Sequence, residues 1–137
     1  MAIKKSQISL EYLIIVGFVS FVIIGILGIA LIYSGSVKDR IKLTQLENFA
    51  NKVVTGAESV FYSGEPSKIT ISAYLPENVE EITISDYSLI FSIQTNSGVT
   101  RVMYTSKVPV TGIISTNSGL KRIQITAEET RAVITQA

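Results

Sequence analysis

From Leu13 to Val37 the chain carries no charged side chain, and no other feature restricts its folding so strongly. A helix of about 25 residues at ~1.5 Å per residue is roughly 37 Å long, enough to cross a hydrocarbon core of ~30 Å with some tilt. The run is roughly twice the ~7–15 residues of the apolar region in an ordinary secretory signal. Small residues between Ala30 and Ser36 do offer positions where such a signal could be cut. A helix that spans a membrane is the physically sound expectation, and a cleaved secretory signal is the competing one.

The flanks do not orient the span. Lys4 and Lys5 precede it, while Lys38, Arg40 and Lys42, with Asp39, follow it, so a count of basic residues comes close to a tie. Glu11 lies two residues before the run. Read alone, it is an interfacial carboxylate that reaches water and is favoured in the first turn of a helix. Carried into an apolar environment, the same group would need a cationic partner.

Composition removes most chemistry. The 137 residues accommodate one modest domain and one long helix. Net charge is +1, and no basic run follows Lys5, so the electrostatic footprint of a nucleic-acid binder is missing. There is no Cys and no His. Zinc, haem and iron–sulfur ligand sets, cysteine nucleophiles and Ser-His-Asp triads are thereby excluded. No cofactor and no small-molecule substrate is expected. Asp86 lacks the spacing of an EF-hand, and no Asn-x-Ser/Thr sequon occurs. Glu80-Glu81 and Glu128-Glu129 are adjacent pairs that a strand would point to opposite faces, which reads as solvated surface. The chain is expected not to be an enzyme.

After Val37 the apolar residues Leu43, Leu46, Ala50, Val53, Val54, Ala57, Val60 and Phe61 recur at helical spacing. They predict one helix from about Ile8 to about Phe61, ended by Gly64 and Pro66, with Ser34-Gly35-Ser36 the weakest point. From Ser67 the period changes to two. Ile69, Ile71 and Ala73 begin it, followed by Ile82 and Ile84, then Leu89, Phe91 and Ile93. Val102 and Tyr104, Val108 and Val110, Ile123 and Ile125, and Val133 with Thr135 complete it. Turn residues separate these groups at 76–78, Asp86, 96–98, Pro109 and 117–119. The expected fold is α+β: a long hydrophobic N-terminal helix, then a small antiparallel β-sandwich of Ig-like type. Residues 7–63 form the helix and 64–137 the outer domain, whose thin core should pack on the Leu43–Phe61 stripe.

Lys4-Lys5-Ser6-Gln7-Ile8-Ser9-Leu10-Glu11-Tyr12 ahead of this run resembles the class III signal peptide of archaeal type IV pilin-like proteins. The passage Val60–Val79 is similar to the way such subunits pass from helix to first strands. The resemblance implies that residues 1–6 are a leader and that a prepilin peptidase cuts between Ser6 and Gln7. Ser6 departs from the commoner Gly or Ala at that position. It makes Gln7 the first mature residue and Glu11 the fifth, which in the family neutralises the free amine of a neighbouring subunit. Loss of Lys4 and Lys5 would change the side-chain balance from +1 to −1. Gly17, Ser20, Gly25 and Gly28 would then let identical helices approach closely. The implied partners are further copies in a helical filament, the peptidase, an assembly ATPase with its membrane platform, and the membrane that holds the precursor. Adhesion at the cell surface is the expected use. The alternative from another class is a monomeric, membrane-anchored surface module whose β domain binds a ligand.

Overall fold

The computed structural model describes residues 2–137, with side chains from Gln7 onward. Its first element, α1, is a 62-residue helix, Ala2–Ser63. Seven strands follow: β1 Lys68–Leu75, β2 Val79–Ser85, β3 Ser88–Thr95, β4 Gly98–Thr105, β5 Val110–Gly112, β6 Gly119–Ala127 and β7 Ala132–Gln136. The protein is α+β, as expected. It divides into two compact units within α1, one ending at Lys38 and the other Asp39–Ala137.

The helix remains regular through Ser34-Gly35-Ser36, the weakest point of the continuous helix that the sequence predicts. One glycine costs only about 1 kcal/mol of helix propensity, and the flanking stretches on both sides are strongly helical. The helix stops where the sequence places Gly64, whose φ of 76° is a left-handed helix-ending conformation. Gly64 donates its N–H to the Phe61 carbonyl at 3.1 Å, and a turn through the cis Glu65-Pro66 bond leads into β1.

In the second unit, α1 packs against two sheets of order β1-β6-β7-β5 and β2-β3-β4. Leu46, Phe49, Ala50, Val53, Ala57 and Val60 form one buried stripe of the helix, at the spacing its apolar residues predict. Phe49 meets Phe91 of β3 edge-on, with centroids 6.1 Å apart. On the other sheet the absence of a side chain at Gly56 brings the helix onto Ile71 and Ile125. Two carboxylates fasten the helix to loops: Asp39 accepts from the Asn96 N–H at 3.2 Å and Glu58 from the Lys107 N–H at 3.0 Å.

Three details differ from the antiparallel alternation read in the sequence. β5 and β7 pair in parallel, Val110 opposite Ala132. Val108 is buried but lies in the loop before β5, with its N–H on the Ser106 hydroxyl. In β7 the inward residues are Ala132 and Ile134, not Val133 and Thr135. The register with β6 decides this, because Ile134 stands opposite Ile125 and Ala132 opposite Ala127, both of which face inward. A slip of one residue would reverse the face.

Candidate functional site

Between Lys5 and Lys38 the only charged residue is Glu11. Every described residue from Gln7 to Ser34 is exposed on the helix surface. Phe18, Phe21, Leu31 and Ile32 show 68 to 78% of their area. A soluble monomer rarely leaves so much contiguous apolar surface in water. The helix is long and apolar enough to cross a membrane. Such a surface suits a cover of lipid or of other apolar helices.

Gln7 and Glu11 are four residues apart, so they share a face with about one turn between them. Both side chains are exposed. Lys4, Lys5 and Ser6, the other residues of the expected processing site, have side chains outside the described residues. Gly17, Ser20, Gly25 and Gly28 are exposed, and at ~100° per residue they fall within an arc of about 140°. A Cβ added at Gly17, Gly25 or Gly28 would touch nothing within 4 Å. The backbone there is bare and open to close approach by another helix.

Among the described residues no three His, Cys, Asp or Glu side chains gather in a way that could hold a metal ion. Glu80, Glu81, Glu128 and Glu129 are exposed, and Glu128 lies 4.0 Å from Arg131. Burial raises the Tyr104 phenol above its ordinary pKa, and the nearby Glu47 carboxylate adds to the effect.

Two polar features escaped the sequence reading. Lys121 is buried on the inward row of β6 and donates to the Ser115 hydroxyl at 2.6 Å. Its position between Leu120 and Arg122 gives no sign of this, because only pairing with Ala73 turns it inward. The second is a groove between α1 and β1, lined on the helix by Gln45, Asn48, Lys52, Thr55 and Ser59. Their alternating spacing of three and four residues was a signal available in the sequence.

The chain matches no family model, no curated protein and no solved structure.

Proposed function

We propose that this chain is the structural subunit of an extracellular filament of type IV pilus kind, made as a membrane-anchored precursor and assembled by helix bundling. The observation that carries the reading is the exposed, uncharged helix surface behind Glu11, preceded by Lys4-Lys5-Ser6-Gln7. Lipid covers that surface in the precursor, and neighbouring copies cover it in the filament. An assembly ATPase and membrane platform would transfer the helix from one to the other. Bare backbone at Gly17, Gly25 and Gly28, with Ser20 beside it, suits the second environment.

In this reading a prepilin peptidase cuts the Ser6–Gln7 bond. Cleavage creates a cationic amine on Gln7 where none existed. Glu11 then has the partner that an apolar interior requires: the new amine of a neighbouring copy. Opposite charges a few ångströms apart relieve each other's desolvation and fix axial register. The β domain faces outward, and its exposed Ser, Thr and Tyr side chains serve adhesion. The subunit itself is not catalytic.

Mass spectrometry of the protein from its native cells should give a chain starting at Gln7. A chain starting at Met1, or after Ala30, would sink the reading and favour the monomeric anchored module. Glu11→Gln keeps the side chain's shape but leaves the amine unpaired in the filament core. The loss should be on the order of 3–5 kcal/mol per contact, enough to abolish filaments. Normal filaments of the Glu11→Gln variant by electron microscopy would refute the charge pairing.

A further inference from the structure

Tyr12 and Tyr33 are the two tyrosines that precede Lys38, and both are exposed on the helix. About 21 residues separate them, roughly 32 Å at ~1.5 Å per residue. That length matches a hydrocarbon core of ~30 Å. Tyrosine gathers at the border of such a core, its ring among acyl chains and its hydroxyl in the wet layer. The pair therefore marks both borders of the bilayer, with Glu11 just outside one and Ser34 just outside the other. Asp39 follows Tyr33 by six residues, about 9 Å at helical rise. The headgroup layer on each side is ~5–8 Å thick. Chain length alone thus keeps Asp39 at the outer margin of the headgroups, and puts Lys38 beside their phosphates.

Asp39 is tied to one end of the outer unit. Its carboxylate accepts from the Asn96 N–H at 3.2 Å, in the turn that joins β3 to β4 where Thr95 pairs with Gly98. The Gln94 N–H donates to the Asn78 carbonyl at 2.8 Å, so the β1–β2 turn lies beside it. Leu75 stands opposite Gly119, which brings the approach to β6 to the same end. Three connections, 76–78, 96–98 and 117–119, meet here, and their one charge is Glu77. Asn, Ser, Gly and Pro make up the rest. The connections at the opposite end differ: they hold Glu65, Asp86, Lys107, Glu128, Glu129 and Arg131. Bonds from the Ala127 N–H to the Ser67 carbonyl and from the Ala132 N–H to the Pro109 carbonyl gather that end.

Two connections at the Asp39 end repeat one sequence. Thr95-Asn96-Ser97-Gly98-Val99 is followed by Thr116-Asn117-Ser118-Gly119-Leu120. Both glycines have φ of 118°, where an L side chain would be strained, and each opens a strand. The next residue is apolar and bare in both copies: Val99 is 56% exposed and Leu120 72%. Tyr74, opposite Leu120, is exposed as well. Amides and hydroxyls therefore stand beside uncovered aliphatic and aromatic groups. A lipid interface serves both kinds. Its phosphate and ester oxygens accept hydrogen bonds, and the first acyl carbons cover apolar side chains that enter the headgroup boundary.

We propose that this end of the outer domain rests on lipid headgroups while α1 spans the bilayer, with Val99 and Leu120 entering the interface. The contact rests on the anchored-precursor reading, which supplies the membrane. Chain length selects lipid over a second copy, because six residues lead from the Tyr33 border to Asp39 whatever other copies do.

The chain has no tryptophan, so an introduced one reports only itself. Full-length protein carrying Phe21→Trp, Val99→Trp, Leu120→Trp or Tyr87→Trp, one at a time, would be placed in phosphatidylcholine–phosphatidylglycerol vesicles. Lipids brominated in mid-chain, lipids spin-labelled at the headgroup, and aqueous iodide serve as quenchers. Mid-chain bromine should quench Phe21→Trp. The headgroup label should quench Val99→Trp and Leu120→Trp several-fold more than Tyr87→Trp, which lies in the Asp86 turn at the far end. Iodide should rank these three in the reverse order. Headgroup quenching as weak at Val99→Trp or Leu120→Trp as at Tyr87→Trp would overturn the contact. With Phe21→Trp still quenched by bromine, that result leaves the anchored precursor intact. Loss of bromine quenching at Phe21→Trp would overturn both.

Discussion

Gly112 stands in β5 with φ of 149°, a conformation L side chains rarely adopt, and a Cβ added there would run into the Ile134 carbonyl of β7. Strain and backbone collision act together, so Gly112→Ala should destabilise the outer domain by about 3 kcal/mol. Chemical denaturation would measure the loss, and hydrogen exchange should show amides of β5 and β7 exposed first. Tyr104 offers a test by pH. Burial, and then Glu47, hold its phenol above 10.0. A raised folded pKa means that the fold favours the protonated form. That contribution is complete below pH 10.0 and is lost as pH rises through the folded value. Stability should fall on the alkaline side, less steeply in Tyr104→Phe. Glu47→Gln should bring the Tyr104 transition down towards its ordinary value in a difference ultraviolet titration.

Among the elements, α1 has two characters with one backbone. Its early part has apolar residues on all sides, whereas from Leu43 they narrow to a stripe between polar positions such as Glu47 and Asn51. The stripe meets both sheets, and Phe49 is its largest buried side chain. Phe49→Ala would remove the edge-on contact with Phe91 and leave a cavity where helix and sheet join. The expected cost is about 3–5 kcal/mol in the outer domain, read as a lower thermal midpoint by circular dichroism. Phe49→Leu should lose much less, because most of the volume remains. An equal loss in both variants would mean that the aromatic contact itself dominates.

At the scale of the whole molecule, the core begins at Leu43 and contains nothing from the first unit. A chain of residues 39–137 should therefore fold alone, remain soluble and melt cooperatively. A molten or aggregated product in size-exclusion chromatography would show that the first unit contributes to folding. The sequence by itself determined the long helix, its end at Gly64, and the change from period 3.6 to period two. Each rests on local chemistry: backbone hydrogen bonds within the segment, the conformational freedom of glycine, and alternation along a strand. It also showed Glu11 as an isolated charge ahead of an apolar run, because that is a matter of composition. Tertiary structure alone decided that β7 turns Ala132 and Ile134 inward, that β5 runs parallel to β7, and that Lys121 is buried. Each of these depends on which strand lies beside which and in what register, and pairing between residues distant in the chain leaves no local signal.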